Sequence, residues 1–245
     1  MGITCVTPNI AKVGKSYKAT AKVIINFSDV YKGEKDHSII HELNHLYELA
    51  LKEVSDSTYK TIFGWDIVEE KIDSQEITDE EDKRKYELLN EIINEKIAKE
   101  ISKMMADKNI KIFDERVNAD YQNKTGYDQT NYIVDEFFET FKKEIKASRK
   151  NGNVRIIFDA VGRENFEDLN KLFQIHLEKI GGLKYYSLRE DLKDNRETER
   201  TRAYFYIKEK RDKILKDMKE HYKLYIEGLK KEKNQNLNSI TGYGR

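Results

Sequence analysis

The sequence predicts an α+β fold that is predominantly α-helical, and three observations carry that reading. Ala19 to Tyr31, with Val23-Ile24-Ile25 and Phe27 at its centre, is rich in β-branched and aromatic residues and reads as a strand. From about residue 78 to residue 233, apolar side chains recur at helical rather than alternating spacing. The chain also holds only one proline, Pro8, so little interrupts those helices. Three segments follow: 1–110, with a small N-terminal sheet and two helices that carry the chemistry; 111–187, a helical second lobe; and 188–245, a charged helical C-terminal extension.

Residues 1–18 contain the proline and read as an irregular lead-in. Gly33 ends the strand, and Asp36 or Ser38 can cap a helix that runs to about residue 55. On that helix Ile39, Ile40, Leu43, Leu46, Tyr47, Ala50 and Leu51 share one broad arc, expected to pack on a core. His41 and His45 stand roughly 40° apart on the opposite side, one turn from each other, offering two imidazoles to a cleft. Residues 59–72 suit a short strand or a hairpin around Gly64. Thr78-Asp79-Glu80-Glu81 is a capping box, opening a long helix to about Ala106 with Leu88, Leu89, Ile92, Ile93, Ile97, Ile101 and Met104 as its core face. Residues 128–149 form the next helix, stopped by Asn151-Gly152-Asn153. A short helix over 154–161 and another from Glu164 to Ile180, closed by Gly181-Gly182, complete the second lobe. From 188 to 233 the spacing of Tyr204, Ile207, Ile214, Leu215, Met218, Tyr222 and Tyr225 fits a helical hairpin or a coiled-coil arm, and 234–245 reads as a frayed tail.

His41-Glu42-Leu43-Asn44-His45 has the H-E-x-x-H spacing of a zinc hydrolase helix. Histidines four apart on a helix can converge on one ion, at distances of about 2.0–2.1 Å. With a third ligand and one open position, such an ion lowers the pKa of a bound water to about 7. Glu42, to one side of the histidines, would take the proton from that water and deliver it to a leaving amine. A second carboxylate pair lies on the long helix, in Asn90-Glu91-Ile92-Ile93-Asn94-Glu95. Glu91 and Glu95 point the same way at the border of its apolar arc, where paired carboxylates need a cation or hydrogen-bond donors. Glu69 and Glu70 are rivals for the third ligand, and Glu48 is a weaker one. On one uninterrupted helix His41 and Glu48 would lie about 10.5 Å apart, too far to close on one ion.

His41-Glu42-x-x-His45 followed by Asn90-Glu91-x-x-x-Glu95 resembles the gluzincins, the thermolysin-like zinc metallopeptidases, over about 60 residues. The resemblance implies a zincin-like fold in a minimal, divergent form. It implies that His41, His45 and Glu91 bind Zn2+ and that Glu42 is the general base. Glu95 would hydrogen-bond a ligand imidazole and fix its tautomer, with Asn90 beside it as support behind the ligands. The sequence departs from the family in a long insertion between His45 and Glu91, and in lacking a motif for the transition-state donor. Tyr127, beside Gly126, and His176 are the candidates for that donor.

Composition narrows the classes. Lys+Arg and Asp+Glu are both 45, so charge recommends neither nucleic acid nor an acidic membrane. A lone Cys5 excludes an internal disulfide and a cysteine-rich zinc module. No signal peptide or membrane-spanning run is visible, which suggests a cytoplasmic or phage-associated protein. The leading expectation is a zinc-dependent peptidase acting on a peptide or protein substrate, with room for a helical partner on the C-terminal extension. The alternatives are a catalytically degenerate zincin-fold structural or binding protein, such as a phage virion or mobile-element component, and a helical interaction protein without metal.

Overall fold

The computed structural model describes residues 2–13, 16–26, 35–55, 58–72, 85–112, 115–116, 126–181 and 196–241. The chain divides into two compact units, Met1–Asp128 with Ser148–Asn153, and Gln129–Ala147 with Val154–Arg245. The described part is mostly helical, with small antiparallel sheets in the first unit.

The first unit opens with a hairpin. Strands β1 (Gly2–Val13) and β2 (Ser16–Asn26) pair antiparallel, with Gly2 opposite Asn26 and Val13 opposite Ser16. β2 is the expected strand, but the lead-in proves to be a strand as well. The register slips between Val6 and Asn9, the stretch that holds Pro8. A proline has no N–H to give a ladder, and a bulge tolerates it.

Helix α1 (Lys35–Tyr47) follows, and it is shorter than expected. Its last backbone bond runs from Glu48 N to Asn44 O. The chain then enters β3 (Leu49–Ser55), which pairs with β4 (Thr58–Phe63), and β4 pairs with β5 (Asp66–Ile72). Leu49 lies opposite Phe63 and Ala50 opposite Ile62, so Ala50 and Leu51 belong to a sheet and not to the helix arc. The hairpin around Gly64 forms as the sequence suggests, with Gly64 at φ +58° in the left-handed region.

Helix α2 (Glu87–Asp107) begins after Tyr86, which offers no side-chain cap; the Thr78–Glu81 box lies outside the described residues. Its apolar face is the expected one at Leu89, Ile92, Ile93 and Ile97, whereas Met104 is exposed. A two-residue ladder, β6 (Lys111–Ile112) with β7 (Glu115–Arg116), and a 3-10 turn (Gly126–Thr130) complete the run.

α1 and α2 pack against each other, and only part of the arc the sequence suggests is buried. Ile39 and Ile40 are buried, yet Leu43 is 47% and Tyr47 64% exposed. The buried stripe is polar instead: His41, Asn44 and Glu48, at the i, i+3, i+7 spacing of one helix face. α2 answers with its own buried Asn90, Asn94 and Glu95. Polar groups out of water need partners, and here the partners stand on the facing elements.

One further group fastens this unit. Helix α3 (Asn131–Lys150) lends its last turn to it, and Arg149 there is fully buried. Its Nε donates to Glu48 Oε1 at 2.9 Å, its second terminal nitrogen to Glu48 Oε2, and its first to Asn90 Oδ1 at 2.6 Å. The guanidinium also lies 5.2 Å from the Trp65 ring centroid. Trp65 Nε1 donates in turn to Ser148 Oγ at 2.8 Å.

The second unit is helical. α3 is followed by α4 (Arg155–Val161), α5 (Arg163–Lys179) and α6 (Arg196–Thr241), with Phe137, Phe141, Phe166 and Phe173 fully buried. Gly152 at φ +55° and Gly181 at φ +75° end α3 and α5 where the sequence places the stops. α6 packs on α4 and α5 and is one continuous helix, which excludes the hairpin form of this segment. It reaches Thr241, so 234–241 is helix and not tail. Among the described residues, no helix is long and apolar enough to cross a membrane.

Two glycine substitutions test this description in opposite directions. A Cβ on Gly64 would lie 2.7 Å from Asn90 Oδ1 and 3.1 Å from an Arg149 nitrogen, on a backbone already at positive φ. Gly64→Ala is expected to cost about 2–3 kcal/mol and to lower the thermal midpoint by roughly 5–10 °C. Gly228 lies inside α6 with nothing within 4 Å of its added Cβ, so Gly228→Ala should stabilise by about 0.5–1 kcal/mol. Thermal melts followed by circular dichroism check both signs.

Candidate metal centre

The centre is built from two helices and one turn. α1 supplies His41, Glu42 and His45, α2 supplies Glu91 and Glu95, and the 3-10 turn supplies Tyr127. Residues four apart on each helix project on one side, so facing pairs His41/His45 and Glu91/Glu95 meet.

His41 Nε2 lies 3.2 Å from Glu91 Oε2, His45 Nε2 lies 3.2 Å from Glu91 Oε1, and the two Nε2 atoms are 3.2 Å apart. Ligand atoms held about 2.0–2.1 Å from a tetrahedral ion are themselves roughly 3.3–3.4 Å apart. The three side chains therefore fit a metal ion, and His41, His45 and Glu91 could hold one. Glu91 keeps 32% of its side chain exposed, so the centre opens to solvent on its side.

The remaining nitrogen of His41 is engaged: Nδ1 lies 3.1 Å from Glu95 Oε2. An Nδ1–H donated to that carboxylate would leave the Nε2 lone pair facing the centre once an ion displaces the second proton. Lys99 Nζ stands 3.8 Å from Glu95 Oε1 and bonds both oxygens of Asp128, at 2.7 and 2.8 Å. The ion pair with Asp128 ties the 3-10 turn to α2, which brings Tyr127 to the centre. The Tyr127 ring stacks on His41 with centroids 6.2 Å apart and planes inclined by 13°, and its hydroxyl is 3.5 Å from Glu91 Oε2.

These charges act strongly on one another. Burial alone would lower the His41 pKa, but hydrogen bonds and attraction from Glu91 and Glu95 reverse that and raise it to about 9. The resulting stabilisation is full below the ordinary value of 6.5 and fades as pH rises through about 9. Burial would raise the Glu91 pKa, yet the two imidazoles hold it well below the usual carboxylate range. Burial pushes Glu42 upward, with Glu91 adding to the shift and the histidines opposing it. Glu42 is thus close enough to feel all three of the other groups.

Not every residue named from the sequence meets here. The Asn90 amide is spent elsewhere: its oxygen accepts from Trp65 N and Arg149, and its nitrogen donates to Phe63 O and Asp66. It holds α2 to the β4–β5 turn and touches no imidazole. His176 belongs to the second unit, where it is 1% exposed and its Nδ1 lies 2.9 Å from the Tyr132 hydroxyl. Those are the surroundings of a core histidine, and burial lowers its pKa. Glu48 gives its carboxylate to Arg149. Glu69 and Glu70 pair with Thr61 and Lys60 along β5, and their side chains lie outside the described residues.

Sequence reasoning passed over Asn44, Asn94, Lys99 and Arg149. Asn94 had a visible signal, because Asn90-Glu91 and Asn94-Glu95 repeat one pattern a turn apart. Arg149, 101 residues from Glu48, had none.

Metal analysis by mass spectrometry checks the ligand set. The wild type is expected to carry about one ion per chain after zinc loading, and His41→Ala, His45→Ala and Glu91→Ala to lose it. Glu70→Ala should keep the ion, and Glu95→Gln should keep it with affinity reduced about 10–100-fold.

Comparison with known protein families, curated proteins and solved structures found no match, so the reading of this centre stands on its own geometry.

Proposed function

We propose that the chain is a zinc-dependent hydrolase of peptide or amide bonds, similar in its working parts to the gluzincins. The observation that carries this reading is the convergence of His41 Nε2, His45 Nε2 and Glu91 at 3.2 Å, with Glu95 on the far nitrogen of His41. A nitrogen-rich set with one carboxylate suits zinc better than the oxygen-seeking cations. When bound, zinc would supply Lewis-acid polarisation of a carbonyl and acidify a water to a pKa of about 7.

The chain's own groups do the rest. Glu42 follows His41 directly, is half-buried and stands outside the group that could hold the ion, where its carboxylate would accept a proton from water and pass it to the leaving amine. Tyr127 places a phenolic O–H at the edge of the centre, where it can donate to oxygen as negative charge develops there. Glu95 holds the His41 ring in one orientation throughout.

A second reading draws on the buried polar stripe His41, Asn44 and Glu48. A metal at such a seam could act as a clamp between α1 and α2 in a protein that hydrolyses nothing. Glu42→Gln separates the two. On the hydrolase reading it keeps about one zinc per chain while cleavage of a quenched-fluorescent peptide library falls at least ~100-fold. Zinc-loaded wild type that cleaves no peptide, but melts higher than the zinc-free form, decides for the clamp.

A further inference from the structure

We propose that Asn94, partnered by Asn44, is a positioning residue that sets where His41 stands relative to Glu91. The proposal rests on the reading that His41, His45 and Glu91 hold an ion.

Asn94 is fully buried on α2, and Asn44 is buried on the facing side of α1. Asn94 Nδ2 donates to the backbone oxygen of His41 at 2.9 Å, across 53 residues of sequence. That carbonyl lies inside α1, where the helix already provides an amide donor four residues on. The bond from Asn94 is therefore an additional one, on the second lone pair, and is not needed to satisfy the carbonyl. Its effect is directional.

The orientation of the amide is fixed by its surroundings. A carbonyl can only accept, so Nδ2 must face His41 O and Oδ1 must turn the other way. There it accepts from Asn44 Nδ2. Asn44 lies three residues beyond His41, so one buried amide grips α1 at two points nearly a turn apart. Two such points fix both the slide of α1 along α2 and its roll. An apolar residue of equal size would fill the space and fix neither.

The repeat in the sequence then has a mechanical reading. In Asn90-Glu91 and in Asn94-Glu95, the glutamate meets an imidazole. The preceding asparagine, roughly 100° around the helix, grips a backbone carbonyl, Phe63 O or His41 O. Metal ligation tolerates errors of only about 0.2 Å, far less than packed helices shift when a directional contact is removed. Asn94 acts on the ion through the His41 backbone and not by touching it.

The test measures zinc affinity of the full chain by competition with a chelating dye, together with urea stability of the zinc-free protein. Asn94→Leu and Asn44→Leu are each expected to weaken zinc binding about 10–100-fold. In the double variant an apolar pair replaces a matched amide pair, so stability should return toward wild type while zinc binding stays weak. Asn94→Ser, a smaller change that is expected to fold, should weaken binding in the same direction. A double or serine variant with wild-type zinc affinity overturns the proposal alone and makes Asn94 merely structural. A wild type that takes up no zinc overturns the metal reading and this proposal with it.

Discussion

The guanidinium of Arg149 is the constraint on which the first unit depends. It is fully buried, bonded through two nitrogens to Glu48 and through a third to Asn90, and it lies against the face of Trp65. Taking such a charge out of water costs several kcal/mol, and only a fully satisfied fork recovers that. Lysine, a point charge without the planar fork, could not make all three bonds in this arrangement. Glu48 lies one turn beyond His45 and Asn90 lies beside Glu91, so the same cation fixes the helix of the histidines and the helix of the glutamates. Removing one partner of a buried pair costs about 3–5 kcal/mol, so this unit has little freedom to drift at that point.

Buried apolar residues on both helices are thus joined by a set of buried polar pairs between α1 and its neighbours. Apolar seams lose packing energy when they slide, but they carry no directional bonds that single out one partner for each group. The bonds of His41 and Asn44 to Glu95 and Asn94 on α2, and of Glu48 to Arg149 on α3, are directional, because every partner must find its mate at hydrogen-bond distance. The low local dielectric strengthens the attraction between imidazole and carboxylate and raises the cost of mispairing. The shifts at His41 and Glu91 in opposite directions express that coupling.

The sequence made legible what depends on local spacing. The i, i+4 pairs His41/His45 and Glu91/Glu95, the hairpin around Gly64, the stop at Asn151-Gly152-Asn153 and the helices of the second unit are all short-range patterns. What it hid depends on distant partners. Ala50 and Leu51 suit a helical arc as well as a strand, and their pairing with Ile62 and Thr61 decides the matter. Pro8 argues against a strand until β2 is seen beside it and the bulge is placed. Leu43 and Tyr47 looked like core because they are apolar, whereas the buried face of α1 is the one that finds charged and amide partners on other elements. The partner of His176, the Tyr132 hydroxyl on α3, is likewise 44 residues away in sequence.

The first unit is not a continuous stretch of chain: its last members are Ser148–Asn153, reached only after residues assigned to the second unit. On the ribosome this sets an order of events. Proteins commonly fold from the N-terminus as the chain emerges, and here the last members of the first unit emerge after most of α3. Glu48 and Asn90 leave the exit tunnel long before Arg149 does, and until it arrives the seam holding the histidines and glutamates lacks its cation. Translation therefore delivers His41, His45, Glu91 and Glu95 early, and the cation that pins both of their helices late.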